Sequence, residues 1–405
     1  MGFEFRASIF GFFPKGDSLQ ATFDKSSSLF PVKDRCVYLA HCGISPLYSG
    51  AFQRQAEMAR AQMEEGGAVF RRYPEVMDEL KSVAARMMKT SPDNMAFVKN
   101  TSEAMGMIAN GYPFEPGDEI VGYVHEYPAN HYPWKLQEKR GAVLKLLPDR
   151  DSAGSACQGK PCGWSLEDLE GMVSERTRLV AVSHVQFTSG FAADLKALGS
   201  FCAARGIDLV VDAAQSLGCL PVYPDEWGIS AVAASGWKWL LGPVGVGLFY
   251  TSPAFRDKLE HVMTGAELMV QGEDYLDHRW APHGTAKRFE YSTSPMVLAA
   301  ALTECVKGGA LRYGLEALRD EVFRLQDVLL EGLDRDRFAP VEFPEAHRSG
   351  ILSVACAEDP LSVVKEAASR GVTVSSRGGY LRLAPHFYND DEEMHRAADV
   401  LNGKK

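Results

Sequence analysis

The sequence predicts an α/β fold, in which a mostly parallel sheet has helices on both faces and a smaller α/β domain follows. Short apolar strands alternate with helical patterns through the middle of the chain, as in parallel sheets. After about residue 300 the pattern changes to long helices and then short strands. At 405 residues the chain also exceeds a typical single core. We expect a large domain over residues 36–295 and a small domain formed by residues 1–35 and 296–405.

Six segments of the large domain are predicted as buried strands because they are short and rich in Val, Ile and Leu. They are MAFV (95–98), EIVGY (119–123), AVLKLL (142–147), RLVAVSHV (178–185), IDLVVD (207–212) and SAVAAS (230–235). Segments with helical spacing lie between them, at 101–110, 129–139, 165–176 and 192–205. The small domain is predicted to have helices over 296–332, over 360–370 and from 390, and strands at 351–356, 372–376 and 380–384.

Composition excludes several classes of protein. The formal net charge is −10, which argues against nucleic-acid and anionic-membrane partners, since both require clustered Lys and Arg. No apolar run has transmembrane length, and the first residues lack a secretory apolar region. The eight cysteines are scattered and resemble neither a disulfide framework nor a zinc site. We therefore expect reduced thiols, no metal site and a cytoplasmic location.

Unusual polar residues follow three of the predicted strands, where ligands of doubly wound sheets bind. In VVDAAQSLG, Asp212 closes a strand and Gln215 follows it. A buried carboxylate requires a cation or strong donors, although Asp212 could equally serve as a helix N-cap. In KNTSEAMGM, Thr101 and Ser102 open a helix whose N-terminus could bind a phosphate. An ordinary N-cap would have the same sequence.

The third strand end leads from Ser235 to a lysine between two tryptophans, in SGWKWLLG. Apolar surroundings lower the pKa of a lysine and make its amine available for Schiff-base chemistry. Alternatively, Lys238 could cover aromatic surface at the end of an element. Pyridoxal phosphate (PLP) requires three features of its site, an amine, a carboxylate and donors for its phosphate. Lys238, Asp212 and the helix N-terminus at Thr101 and Ser102 would supply them.

The runs D-A-A-Q-S-x-G and S-G-x-K-W-L-x-G-P-x-G-x-G resemble the class V aminotransferases of PLP fold type I. This group includes cysteine desulfurases, kynureninases and isopenicillin N epimerase-like proteins, and the resemblance covers residues 36–402. It implies a mostly parallel seven-stranded sheet in the large domain and PLP as the cofactor. It also implies a homodimer with shared active sites.

The resemblance implies specific roles for residues of this chain. Lys238 would form the internal aldimine, Asp212 would pair with the pyridine nitrogen, and Gln215 would donate to the ring hydroxyl. The remaining cofactor residues would be Tyr127, stacked on the ring, His184 at another strand end, Thr101, Ser102 and Ser235 at the phosphate, and Thr293, which would reach the phosphate of the partner subunit. Arg382, in YLRLAPHFYND, would bind the substrate carboxylate, and His41, in YLAHCGISP, would be a second substrate residue.

The sequence also departs from the family pattern. Trp237 replaces a histidine before the lysine, and Tyr127 replaces the histidine that desulfurases stack on the ring. Desulfurases carry a sulfur-accepting cysteine on a loop before the carboxylate-binding arginine, but GVTVSSRGGYLRL (371–383) is short and has no cysteine. Cys42 lies where the family has small residues near the cofactor, and either a structural or a catalytic role is possible for it.

We therefore expect a PLP-dependent enzyme that deprotonates Cα of an amino acid or a similar metabolite, with Lys238 as the base. A lyase that cleaves or eliminates at Cβ is favoured over an aminotransferase, because the segment R-L-A-P-x-x-Y-N is kynureninase-like. A desulfurase or selenocysteine lyase-like enzyme and an epimerase are the alternatives. A cofactor-free binding protein on the same scaffold is the alternative outside enzymes, and a yellow purified protein would argue against it.

Overall fold

A seven-stranded sheet organises the computed structural model, which describes residues 22–150 and 159–404. The strands of the described chain are β1 Val37–Tyr38, β2 Met95–Val98, β3 Glu119–Tyr123, β4 Val143–Leu147, β5 Thr177–Ser183, β6 Asp208–Asp212, β7 Ala231–Ser235, β8 Gly247–Thr251, β9 Phe338–Pro340, β10 Leu352–Cys356, β11 Val372–Thr373, β12 Ser375–Arg377 and β13 Tyr380–Leu383. The α-helices are α1 Ser49–Glu65, α2 Tyr73–Met88, α3 Thr101–Gly111, α4 Tyr132–Leu136, α5 Leu166–Met172, α6 Leu195–Ala203, α7 Pro224–Trp227, α8 Pro253–Arg256, α9 Met296–Gly308, α10 Ala310–Tyr313, α11 Leu315–Gly332, α12 Pro360–Ser369 and α13 Asp391–Leu401.

The large sheet has the strand order β2-β8-β7-β6-β5-β3-β4. Strand β8 is antiparallel to both of its neighbours, and the other neighbouring pairs are parallel. The predicted α/β class, the mostly parallel seven-stranded sheet and its six expected strands are confirmed. Strand β8, which has the sequence GLFYT, was not expected. It completes the sheet by joining β2 to β7, so both of these strands end at the same edge.

Both faces of the large sheet are covered by helices. Along β2, Met95 and Phe97 belong to one apolar cluster, whereas Ala96 and Val98 belong to another on the opposite face. This alternation is the two-residue period of a strand that is buried on both sides. The sheet is therefore the middle layer of three, and its strand ends are the part that remains open to a ligand.

Helices α1 and α2 were not predicted, and they pack against α9 on the large sheet. The expected domain boundary after residue 295 assigns α9 to the small domain, but Ala299 and Leu302 of this helix lie in the large core. The packing thus favours a later boundary, and the division into two domains remains a prediction. Residues 1–21 of the expected N-terminal part lie outside the described residues.

The C-terminal part contains a four-stranded sheet of order β12-β13-β10-β9, and a parallel pair formed by β1 and β11. Strand β1 thereby joins the N-terminal part to the C-terminal part, in a pair that is separate from the four-stranded sheet. The long helical pattern at 296–332 is divided into α9, α10 and α11. Gly314, with φ of +85°, separates the last two, because its backbone conformation cannot continue a helix.

Among the described residues, six cysteines are free thiols, namely Cys36, Cys42, Cys202, Cys219, Cys305 and Cys356. Cys162 is disulfide-bonded, so the expectation of uniformly reduced thiols is wrong at this position. Among the described residues, every helix is too short or too polar to cross a lipid bilayer.

Candidate active site

A cavity of about 280 Å³ lies at the carboxyl ends of the central strands. Its walls come from the ends of β2, β5, β6 and β7 and from the segment after β3. The lining residues are Asn100, Thr101, Ser102, Tyr127, Ala129, Ser183, Val185, Phe187, Asp212, Ala214, Gln215, Ser235, Trp237 and Lys238. Most of the cofactor residues predicted from the sequence are therefore brought together in one place.

Lys238 lies in the turn after β7, and its amine faces this cavity. Within the described chain, Nζ makes no hydrogen bond or ion pair, and its nearest aromatic contact is the ring of Tyr127, 5.7 Å from Nζ to the centroid. Burial lowers the pKa of Lys238, while the negative charge of Asp212 opposes this shift. A partly buried amine with a lowered pKa and no hydrogen-bond partner in the described chain is suited to react with a carbonyl carbon.

The turn that carries Lys238, which we call the lysine turn, contacts the segment at Ser45 and the turn after β6. The backbone N–H of Ser45 donates to the carbonyl of Trp237 at 2.8 Å, and its hydroxyl donates to the carbonyl of Lys238 at 2.5 Å. Gly218, the last residue of the D-A-A-Q-S-x-G motif, has φ of +106°, and a Cβ there would lie 2.4 Å from the carbonyl oxygen of Trp239. The motif ends in glycine because only this residue permits the close approach of the two turns.

Asp212 ends strand β6 and is buried in the cavity wall. Its Oδ1 accepts a hydrogen bond of 2.9 Å from the backbone N–H of Ala214. Burial raises the pKa of Asp212, whereas this hydrogen bond and the charge of Lys238 oppose the shift. A cationic ring placed in the cavity would stabilise the ionised carboxylate, because it would supply the charge partner that burial demands.

Gln215 is already engaged in two hydrogen bonds. Its Nε2 donates to the carbonyl of Cys42 at 2.9 Å, and its Oε1 accepts from the indole of Trp239 at 3.1 Å. The amide therefore connects the turn after β6 with the N-terminal segment and with the lysine turn. Its expected role as a donor to a ring hydroxyl stays a prediction, for which the second Nε2 proton is available.

The hydroxyl groups predicted to bind phosphate lie at the N-terminus of α3. Asn100 caps this helix by accepting from the backbone N–H of Glu103 at 2.9 Å. The hydroxyls of Thr101 and Ser235 lie 2.9 Å apart, and Ser235 also accepts from the backbone N–H of Thr101. Hydroxyls and N–H groups at a helix N-terminus can bind an anion, and the phosphate-binding role of Thr101, Ser102 and Ser235 stays a prediction.

Two aromatic rings form another wall of the cavity. Tyr127 is 46% exposed, and its ring meets that of Phe187 edge to face with centroids 5.2 Å apart. The exposed face of Tyr127 is available for stacking on a planar ligand. Phe187 was not identified from the sequence, because its position after β5 becomes meaningful only when the strand ends converge.

Arg382 lies on β13, next to the cavity, and is 3% exposed. Its Nη1 donates to the carbonyl of Phe187 at 2.5 Å, while its buried Nε has no hydrogen-bond partner in the described chain. Burial lowers the pKa of the Arg382 guanidinium. The guanidinium is therefore able to bind an anion through Nε. Cys42, beside Arg382, lies 3.3 Å from the hydroxyl of Ser375, measured from Sγ.

The structure corrects two expected site residues. His41 is fully buried, with Nδ1 2.6 Å from the carbonyl oxygen of Ala384 and Nε2 2.8 Å from the hydroxyl of Tyr388, so neither ring nitrogen is free for a substrate. His184 is absent from the cavity wall, although both of its neighbours line it. An extended backbone directs successive side chains to opposite sides, so the side chain of His184 points away from the wall that Ser183 and Val185 line.

Thr293 is exposed and is not one of the residues that line the cavity. A residue that acts across a dimer would satisfy both conditions. Its expected contact with the partner's phosphate stays a prediction.

Glu126 is a buried residue of the site that was not identified from the sequence. Its carboxylate accepts from the backbone N–H and the hydroxyl of Ser183, at 2.7 and 2.5 Å, and from Nε2 of Gln186 at 3.2 Å. Burial raises the pKa of Glu126 to about 7, and the negative charge of Asp212 adds to this shift. In the sequence, Glu126 could have been found only from its position immediately before Tyr127.

Comparison with known proteins agrees with this geometry. The family model described as aminotransferase class-V matches residues 54–384. The chain belongs to the class V aminotransferase family. A probable cysteine desulfurase of Methanothermobacter thermautotrophicus is 34% identical to this family member over 342 residues, which are 80% of the chain and 82% of the relative.

Solved structures show the same fold. The apo cysteine desulfurase of Thermococcus onnurineus NA1 superposes with a TM-score of 0.81 at 23% identity, over 92% of this chain and 95% of that one. The cystine C-S lyase C-DES, in complex with its product cysteine persulfide, gives a TM-score of 0.82 at 20% identity, over 92% and 99% of the two chains. This class V protein is thus a PLP-dependent enzyme of PLP fold type I.

The residues present fit PLP. Lys238 supplies a partly buried amine without a hydrogen-bond partner in the described chain, Asp212 a buried carboxylate, and the N-terminus of α3 donors for a phosphate. When bound, PLP supplies an aldehyde that condenses with amines and a ring that accepts electrons from the α-carbon of an amino acid.

Proposed function

We propose that this protein is a lyase that acts on a free α-amino acid and cleaves a bond at Cβ without passing sulfur to a protein cysteine. The turn between β12 and β13 carries this proposal. Arg377 pairs with Tyr380, so Gly378 and Gly379 form a two-residue hairpin turn, with φ of +57° and +83°. Desulfurases have their acceptor cysteine on the loop before the carboxylate-binding arginine, and this short turn leaves no room for one.

Recognition of the substrate is assigned to Arg382. Its Nε has no partner within the described residues, while Nη1 is fixed on the carbonyl of Phe187. The edge formed by Nε and Nη2 can therefore bind a carboxylate as a bidentate pair. Removing the charge with Arg382→Leu is expected to raise KM about ten- to a hundredfold, the loss of a charge-assisted pair.

The other residues of the cavity are assigned separate roles in proton transfer and in binding PLP. The lowered pKa of Lys238 leaves a fraction of its amine neutral, so Nζ can accept the proton from Cα of the substrate and return it. Asp212 would keep a positive charge on the ring nitrogen of PLP, which would favour electron withdrawal from Cα. The hydroxyls of Thr101, Ser102 and Ser235 would hold the phosphate and Tyr127 would pack against the ring, since all four residues line the cavity.

A cysteine desulfurase is the second candidate, and two observations favour it. The relative from M. thermautotrophicus is named a probable cysteine desulfurase. In addition, Cys42 lies near enough to Lys238 and Arg382 for their charges to interact with its thiol. In this candidate, Cys42 would take the place of the missing loop cysteine.

We further infer a cytoplasmic homodimer in which Thr293 contributes to the active site of the partner subunit. The exposed position of Thr293 outside its own cavity supports this arrangement.

An amino-acid panel distinguishes the two candidates. The wild type and Cys42→Ala are assayed for release of ammonia, pyruvate, sulfide and alanine, with Cys356→Ala as the matched control, because Cys356 is a free thiol on β10 of the small sheet. A lyase retains most of its turnover in both variants and releases a 2-oxo acid with ammonia if it eliminates at Cβ, or alanine if it cleaves the Cβ–Cγ bond. Loss of turnover in Cys42→Ala alone, with a persulfide trapped on Cys42 in the wild type, would refute the lyase proposal.

A further inference from the structure

The carboxylate of Glu126 joins two segments that are distant in the sequence. Glu126 lies in the turn after β3, whereas its three donors come from Ser183 and Gln186, at and just beyond the end of β5. Glu126 is 8% exposed, and Gln186 is fully buried. A buried carboxylate that accepts three hydrogen bonds is a strong attachment between its two segments.

The side chain of the next residue, Tyr127, is more exposed than that of Glu126. Its ring is 46% exposed, and the aromatic contact that it makes is with Phe187, which follows Gln186. Consecutive residues of the turn thus contact consecutive residues beyond β5. An exposed ring with so few contacts depends on its backbone for its position.

We propose that Glu126 is a positioning residue, which sets the Tyr127 ring in the cavity wall by fastening its turn to the end of strand β5. This inference rests on the proposed packing of Tyr127 against the PLP ring. Without the carboxylate, the N–H of Ser183 loses its acceptor and the turn loses its buried attachment. Tyr127 would then sample several orientations, and PLP would lose a fixed stacking partner.

The test compares single and double variants by the visible circular dichroism of bound PLP and by the Kd of the apoprotein for PLP. Glu126→Ala is expected to reduce the dichroic band by roughly half or more and to weaken PLP binding about tenfold, as for one lost charged hydrogen bond. Tyr127→Ala should give the same changes. The double variant should be no worse than Tyr127→Ala alone, since no ring remains to be positioned.

Conservative and control variants separate positioning from general damage. Glu126→Gln keeps the size and one acceptor oxygen, so it should restore most of the band. Glu290→Ala is the control, because Glu290 is also a buried carboxylate that accepts a backbone N–H, from Phe97 at 2.9 Å. It should lower the unfolding midpoint and leave the band unchanged. If Glu126→Ala does not fold, Ser183→Ala removes one donor and permits the same comparison.

Failure of the inference differs from failure of the proposed cofactor contact. An unchanged band in Tyr127→Ala would refute the packing of Tyr127 on PLP, and the role of Glu126 with it. A changed band in Tyr127→Ala with a normal band in Glu126→Ala would overturn the role of Glu126 alone. Additive losses in the double variant would likewise show that Glu126 does not act through Tyr127.

Discussion

Lys238 and Asp212 face the same cavity, and burial shifts their pKa values in opposite directions. Desolvation disfavours the charged form of each group, while their mutual attraction favours both charges. Each charge therefore depends on the other group, or on a bound ligand, to offset the cost of burial. Glu126 adds a second buried carboxylate whose pKa is raised to about 7.

The position of the reactive amine gives the first prediction. Borohydride reduction of the purified protein should fix a pyridoxyl group on Lys238, because this residue lines the cavity and its amine has no ion partner in the described chain. Peptide mapping by mass spectrometry measures the label. Lys238→Ala is the negative control. A label on Lys196 or Lys287 in the wild type would contradict the assignment.

The raised pKa of Glu126 predicts a pH dependence of stability. Since the folded state binds this proton more tightly than the unfolded state, Glu126 lowers the free energy of unfolding as pH rises from about 4.5 to about 7. The loss is at most about 3 kcal/mol. Glu126→Gln cannot ionise, so its apoprotein should lose less stability than the wild type between pH 5 and pH 8 in urea titrations. Equal losses in both proteins would show that Glu126 ionises normally.

At the scale of elements, the site depends on how closely the turns after β6 and β7 approach each other. Gly218 lies in the first turn and meets the carbonyl of Trp239 in the second. The hairpin turn at Gly378 and Gly379 also approaches its neighbours closely, with Gly378 next to Thr188 and Gly379 next to Lys160. Short turns therefore determine which side chains reach the ligand.

Gly218→Ala should disturb the lysine turn. The new Cβ would lie 2.4 Å from the carbonyl oxygen of Trp239, so the turn carrying Lys238 must shift. We expect a loss of about 2–4 kcal/mol in the free energy of unfolding and at least about tenfold weaker PLP binding. Gly206→Ala is the matched control, because Gly206 also has positive φ, +67°, but nothing lies within 4 Å of its Cβ. Both variants are measured by urea unfolding and PLP titration; equal PLP affinity in the two would argue against the clash.

At the scale of the whole molecule, the large sheet supplies most of the cavity and the small sheet supplies Arg382. Strand β1 pairs with β11 of the C-terminal part, so the segment carrying Cys42 is held between the two. Binding of an amino acid would therefore engage residues from both parts of the chain.

A shared active site predicts complementation between inactive chains. Lys238→Ala and Thr293→Ala should each be inactive or weak alone, but mixed subunits contain one intact site if Thr293 acts across the interface. Random exchange should then recover about a quarter of the wild-type activity. Activity is measured after co-refolding, and the mass is measured by light scattering. A monomeric mass with PLP fully bound, or no recovery on mixing, would contradict the shared site.

The sequence by itself determined the fold class and which polar residues meet at one edge of the sheet. Apolar strands ending in Asp212 and Ser235 predicted which residues meet at one sheet edge, because parallel strands end together. The local motifs also identified Lys238 and Thr101, whose roles depend on short-range backbone geometry.

Tertiary structure alone decided the rest. Strand β8 and the packing of α1 and α2 on α9 depend on long-range contacts. Neighbouring side chains of one strand end face opposite sides, so His184 does not line the cavity. Glu126 also lies outside the cavity lining, but it accepts a hydrogen bond from Ser183, which lines it. His41 is not free to bind a substrate, because both of its ring nitrogens are hydrogen-bonded to residues more than three hundred positions away in the chain. The identity of a residue sets its chemistry, but only the packing of distant segments decides which of its atoms remain free to react.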